Sequence, residues 1–270
     1  MGKKSLFISN LAWDHKDFKL IKKLIKLNKF KGIDLAPIKL TGNWKNIDSV
    51  CRPISKKLLN EKIKVNAIQG IYYKKKFNLF DAEKKNFNKI LDHTKRIIRL
   101  CKIFKCKKII IGSSHFRKKG AIEKTLADKI FINFFKKFKK TLDKEKIFLC
   151  LEAIPIQYKE DYIFEFYHLL SLVKKIKIKW VKINFDSSLF HFSRFDKKLF
   201  LKNIRYIKNI QVTQKHFKHF VNPSINNLKF CKLLKSNNSN QNISLEIISN
   251  KTDLKNLNIS MKNLSKLLNY

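Results

Sequence analysis

The sequence predicts an α/β protein, a single domain over residues 1–270 in which eight parallel strands close into a (β/α)8 barrel. Three observations carry this. Eight short apolar runs are spread along the 270 residues, and segments of helical period lie between them. No glycine-rich G-x-G-x-x-G turn follows the first run, as an open dinucleotide-binding sheet would require. Strand–helix alternation repeated eight times calls for parallel strands joined by right-handed crossovers. A closed barrel of this kind takes about 250 residues.

The runs are SLFISNLAW (5–13), GIDLAPIK (32–39), IKVNAIQGIYY (63–73) and KKIIIGSSHF (107–116), then IFLCLEAIP (147–155), WVKINFDSS (180–188), IKNIQVTQ (207–214) and NISLEIIS (242–249). Between them, apolar residues recur at i, i+3, i+4 and i+7, the spacing of a helix with one buried side. Phe18, Ile21 and Ile25 mark the first helix, over 18–27. Phe87, Ile90, Leu91, Thr94, Ile97, Ile98 and Cys101 form a stripe over 87–101, and Ile130, Phe131, Phe134, Phe135, Phe138 and Leu142 another over 124–142. A last helix is expected over about 252–268, and SNNSNQN (236–242) reads as a short loop before the final strand.

The formal net charge is +41, which raises nucleic acid or an acidic membrane as partner. Of 61 basic residues only six are Arg, and the Lys are spread over the whole chain. Base readout leans on the bidentate guanidinium, so no specific nucleic acid is expected, only non-specific polyanion binding at low salt. Abundant Lys, Asn, Ile and Phe, with scarce Gly, Pro, Ala and Arg, match an AT-rich coding sequence whose solvated faces have drifted to Lys. The five Cys contain no C-x-x-C pair and sit among apolar neighbours, as buried thiols of a reducing compartment do. Polar residues interrupt the first apolar run too early for a signal peptide, and no run approaches the 18 apolar residues of a membrane span. A cytoplasmic location without membrane contact is expected, and a homo-oligomer is compatible with it.

Barrel chemistry lies at the C-terminal ends of the strands. There the fifth run places Glu152, the sixth Asp186, the seventh Gln211 and the eighth Glu246, each within apolar surroundings. Clustered carboxylates repel and raise one another's pKa, a cost that a divalent cation removes. An oxygen-only donor set suits Mn²⁺ or Mg²⁺ more than Zn²⁺. The bland reading is that each acid is a strand-end residue meeting a Lys.

Taken together, ISNLAWD (8–14), GIDLAPIK (32–39), AIQGIYY (67–73), IIIGSSHFRKKG (109–120), LEAIPIQY (151–158), INFDSS (183–188) and SLEII (244–248) resemble the xylose isomerase-like TIM barrels, the sugar phosphate isomerase/epimerase superfamily. The resemblance implies a metal held by Glu152, Asp186, Gln211 and Glu246. It also implies that Glu152 and Glu246 remove and return a proton beside the carbonyl of a sugar or sugar phosphate, through an enediolate.

Two positions depart from that pattern. Gln211 stands where the family has His, and Leu189 where a second His follows the strand-six acid. An amide oxygen can face a hard cation but cannot act as a base. His191 and His216 lie near enough in sequence to be considered as substitutes. Further candidates for substrate contact are Gln69, His115, Arg117 and Trp13, with Asn10, Asp34 and Lys39 also near the strand ends. Two other functions stand beside the isomerase. One is an apurinic-site endonuclease-like barrel, favoured by charge but short of histidines for a multi-zinc site. The other is a catalytically degenerate barrel with a binding role.

Overall fold

The computed structural model describes residues 4–81, 84–192, 195–237 and 241–270. Eight parallel strands close in sequence order, each hydrogen-bonded to the next and the eighth to the first. They are β1 (Leu6–Ser9), β2 (Gly32–Leu35), β3 (Lys64–Ile68), β4 (Lys108–Ile111), β5 (Phe148–Leu151), β6 (Val181–Asp186), β7 (Ile207–Thr213) and β8 (Asn242–Glu246). All eight predicted runs contain their strand. The strands are shorter than the runs because the C-terminal part of most runs leaves the ladder for a loop or 3-10 turn at the barrel mouth.

The helices pack outside. They include α1 (Phe18–Leu27), α2 (Pro37–Thr41), α3 (Ile47–Asn60), α4 (Lys84–Ile103), α5 (Lys124–Lys136), α6 (Lys139–Glu145), α7 (Phe166–Ile176), α8 (Lys197–Lys202), α9 (Ile225–Ser236) and α10 (Leu254–Leu267). In α4 the residues Ile90, Thr94, Ile97, Ile98 and Cys101 are buried, the face that the spacing predicts. The stripe over 124–142 is buried too, apart from half-buried Ile130, but it runs across two helices that break between Lys136 and Lys139. The predicted loop at 236–242 falls partly on residues 238–240, which lie outside the described residues. Among the described residues no helix is long and apolar enough to cross a membrane.

The inside of the barrel departs from an all-aliphatic filling. Ala67, Ile110 and Cys150 form a small apolar cluster, but Asp34, Asn66, Lys108, Asn184 and Asn209 are also buried there and bonded to one another across the barrel. The register shifts by one residue between β2 and β3, and again between β6 and β7. Just before the first shift, where Gly32 pairs with Lys64, the strands approach so closely that a Cβ on Gly32 would lie 1.8 Å from the Lys64 carbonyl oxygen. Only glycine fits there.

Candidate active site at the barrel mouth

Side chains alternate across a strand, so the inward residues of one strand are two apart. On β6 these are Asn184 and Asp186, on β7 Asn209, Gln211 and Thr213, and on β8 Ser244 and Glu246. Asp186 pairs in register with Gln211, and Thr213 with Glu246. Three neighbouring strands therefore bring Asp186, Gln211, Thr213 and Glu246 together. Asp186 and Gln211 are each 1% exposed and Glu246 8%.

Glu152 follows the last residue of β5. Its backbone N–H still donates to the Ile111 carbonyl at 3.1 Å, so the chain is in ladder geometry when the carboxylate leaves it. The side chain lies over Gly112 on the neighbouring strand end. A Cβ at that glycine would meet Glu152 Oε2 at 2.4 Å and its carboxyl carbon at 2.7 Å. Gly112 thus holds open the space that the carboxylate fills. Gly112→Ala should displace Glu152 while leaving the barrel folded, since the clash is with the far end of a side chain. The expected outcome is a loss of activity with little change in unfolding temperature.

The acids interact. Burial raises the pKa of Asp186, partly offset by the Ser188 backbone N–H, which donates to its Oδ1 at 2.7 Å. Burial, followed by the charges of Asp186 and Glu152, holds Glu246 well above the carboxylate range. The Asp186 carboxyl lies close enough to Glu246 to push it up further. Asp186 Oδ2 is buried and finds no donor among the described residues. Burial, then the charge of Asp186, pushes Glu152 up to about 8. Its Oε2 accepts from Asn184 Nδ2 at 2.9 Å. The same amide nitrogen donates to Gln211 Oε1, while Gln211 Nε2 donates to Gln69 Oε1 at 3.0 Å and Gln69 Nε2 to Ser9 Oγ.

These shifts make stability depend on pH. Each acid binds its proton more tightly folded than unfolded, so the native state carries the extra protons between the unfolded and folded pKa values. For Glu152 that window runs from 4.5 to about 8, and its contribution is lost as pH rises through it. In chelator, the unfolding temperature of Glu152→Gln should gain on that of the unsubstituted protein as pH rises from about 5 to about 8. A constant difference would show that Glu152 is not held neutral.

A hard cation suits the donors by type: three carboxylates, one of them with an orphaned buried oxygen, and an amide oxygen. The acids are drawn to one end of the barrel without closing on one point. Among the described residues no three of His, Cys, Asp and Glu stand together as a finished metal centre. Asp186 and Glu246 are in contact, whereas Glu152 and Gln211 are engaged by Asn184.

The other candidates are placed differently. Gln69 joins the mouth network. His115 is exposed. Trp13 is 2% exposed, packed in the core, and borders an apolar space of about 210 Å³ with Phe18, Ile33 and Leu35. That setting makes it a packing residue rather than a stacking platform. Arg117, also fully buried, spends Nε and Nη2 on Glu160 Oε2 at 3.0 and 2.9 Å. Its place as a contact for hydroxyls or phosphate gives way to that ion pair, and only Nη1 lacks a partner among the described residues. Asn10 clamps the Ala36 backbone, and Lys39 bonds the Ser249 carbonyl. His191 bonds the Thr213 carbonyl at 2.9 Å, on β7 itself, and His216 is exposed.

Tyr158, which does not lie at a strand end, stands close enough to Asp186 and Glu246 to feel their charge. It sits in the 3-10 turn after β5, and its ring packs against Phe192 and Phe217 at 5.4 and 5.0 Å. Its hydroxyl accepts from the His216 backbone N–H at 2.9 Å. Burial raises its pKa, and so do the charges of Asp186 and Glu246.

The family described as xylose isomerase-like TIM barrel matches residues 22–267. No curated protein sequence matches the chain. Among solved structures, D-psicose 3-epimerase from Clostridium cellulolyticum superposes with a TM-score of 0.78 at 12% identity, covering 98% of both chains. The 3-keto-D-glucoside 4-epimerase of E. coli gives 0.77 at 12% identity, over 98% of this chain and 100% of that one. A family 2 AP endonuclease from Brucella melitensis gives 0.74 at 13% identity, over 94% and 97%.

Proposed function

From the premise that the chain belongs to the xylose isomerase-like TIM barrel family, we propose that it is a sugar or sugar-phosphate isomerase or epimerase that moves a proton at the carbon beside a carbonyl. The observation that carries this is the placement of three carboxyls, half-buried Glu152 and buried Asp186 and Glu246, at the C-terminal ends of β5, β6 and β8, each with its pKa raised. Structural neighbours named as keto-sugar epimerases support the substrate class.

Asp186, Glu246, Glu152 and Gln211 would hold a divalent cation, Mn²⁺ or Mg²⁺ in preference to Zn²⁺ because every donor is oxygen. Such an ion supplies polarisation of the substrate carbonyl and charge for a developing oxyanion. The chain does the rest. Glu152 and Glu246 project from β5 and β8, on different sides of the mouth, so a sugar between them meets a carboxyl on each face. One takes the proton and the other returns it, which inverts one carbon or shifts the carbonyl to its neighbour. A carboxyl with a pKa near 8 is a proton donor at neutral pH, and a nearby cation would lower it into the range of a base. Tyr158, Phe192 and Phe217 would shield the reacting carbon from water.

The test is deuterium incorporation. The protein is incubated with Mn²⁺ and a panel of ketoses and ketose phosphates in D₂O, and label at the carbon beside the carbonyl is followed by NMR. Label with conversion is expected for one class of sugar. The +41 charge and the AP endonuclease neighbour favour a second reading, so a duplex with an abasic site belongs in the panel. Strand cleavage without deuterium exchange would replace the isomerase by the endonuclease. Neither activity would leave a binding role.

A further inference from the structure

The buried interior beneath the mouth contains a line of amides that ends on a lysine. Lys108 opens β4, is 6% exposed, and lies inside the barrel with Asp34, which is fully buried. Lys108 Nζ donates to Asn209 Oδ1 at 2.7 Å and to Asn66 Oδ1. Asn209 Nδ2 donates to Asn184 Oδ1 at 2.9 Å. Asn184 Nδ2 then donates to Glu152 Oε2 at 2.9 Å and to Gln211 Oε1. Asp34 secures the other side, accepting from Asn66 Nδ2 at 2.6 Å.

The two ends of a carboxamide have nearly the same shape, and the partners decide which end faces where. An ammonium donates only, so both amides that meet Lys108 must present oxygen. Asn209 then has only its NH₂ to offer Asn184, and Asn184 only its NH₂ to offer Glu152 and Gln211. Every link from Lys108 to the mouth points the same way.

We propose that Lys108 is a positioning residue whose ammonium, through Asn209 and Asn184, turns the Gln211 oxygen rather than its nitrogen toward the amide that also holds Glu152, and so sets the donor atoms of the candidate cation site. This rests on the proposed function for its use, but not for its geometry. Were the Asn209 amide free to reverse, Asn184 would reverse with it and present an oxygen to the Glu152 carboxylate. Gln211 would then meet Asn184 with its NH₂, and the site would lose an oxygen donor. The relay gives Gln211, which stands where the resembling family has His, a defined face toward the acids.

The test compares Lys108→Met and Asn209→Leu with the unsubstituted protein. The first readout needs no metal. In the metal-free protein, the side-chain NH₂ resonances of Asn184 and Gln211 should shift in both variants, although neither residue touches Lys108. Resonances unchanged at Asn184 and Gln211 would overturn the relay. The second readout is Mn²⁺ affinity, from the electron paramagnetic resonance signal of free Mn²⁺. Removing a buried cation should, by charge alone, tighten Mn²⁺ binding. Loss of orientation should weaken it about tenfold, the usual scale for residues behind metal ligands. Asn209→Leu leaves every charge in place and should weaken binding similarly.

Equal or tighter Mn²⁺ binding in the variants would overturn the role at the site. If the unsubstituted protein takes up no Mn²⁺, the cation part of the proposed function fails, and the resonances still decide the relay. Should Lys108→Met fail to fold with the Asp34 charge left uncompensated in the interior, Lys108→Met/Asp34→Asn removes both charges together.

Discussion

Glu152→Gln should cut conversion of the sugar by roughly 10²- to 10⁴-fold, the usual worth of a positioned acid–base group. The substitution is close to isosteric. Its amide oxygen can still accept from Asn184, and the space over Gly112 remains filled. It also removes the repulsion from Asp186 that raises Glu152, so the variant should fold at least as stably without cation. Glu246→Gln should be equally damaging to turnover but need not abolish exchange. If each carboxyl serves one face of the sugar, each variant should keep wash-in from the face whose acid survives. Loss of both exchange and turnover in one variant only would assign all proton transfer to a single acid. Full activity in both would remove the isomerase reading.

Arg117→Leu should lower stability by about 3–5 kcal/mol, because it leaves Glu160 buried without its counter-charge. The pair is among the most deeply buried in the chain, with side-chain exposures of 1% and 0%. The other Glu160 oxygen accepts the backbone N–H groups of Tyr162 and Ile163, both at 3.1 Å. The bridge thus ties the loop after β4 to the loop after β5, which begins with Glu152. At about 2–4 °C per kcal/mol for a chain of this size, the unfolding temperature should fall by roughly 10 °C. Arg117→Leu/Glu160→Leu should recover much of that loss. An Arg117 variant of undiminished stability that instead loses sugar affinity would return Arg117 to the substrate.

The strands and the acids were legible because both obey a period. Each run of β-branched and aromatic residues contains its strand, and the carboxylates fall at the strand ends where a barrel presents chemistry. The amides behind them follow the same alternation: Asn184 two before Asp186, Asn209 two before Gln211, Asn242 two before Ser244. Counting inward residues along whole strands, rather than at their ends, would have found them. Other parts had no local signal. Glu160 lies 43 residues from Arg117, so their pairing depends on barrel closure. Gly112 matters for what it lacks. Trp13 reads alike from sequence whether it stacks on a ligand or packs beneath a helix. Tyr158 is separated from Phe192 and Phe217 by whole strand–helix units, and only the closed ring of strands sets them side by side.

The polar interior also bears on how this chain reaches a single fold. Eight parallel strands rich in Ile and Leu could pair in many registers with similar apolar burial. A slip of one residue turns the inward face of a strand outward. In this barrel such a slip would strand Lys108 or Asp34 in the interior without its partners, a cost of several kcal/mol that an aliphatic filling would not impose. Misaligned barrels are therefore disfavoured by charge as well as by shape. Asn66 accepts from Asn242 of β8 and donates to Asp34 of β2, so the check spans the seam where the barrel closes. The register that links Asn66, Asn184 and Asn209 is also the one that assembles the mouth.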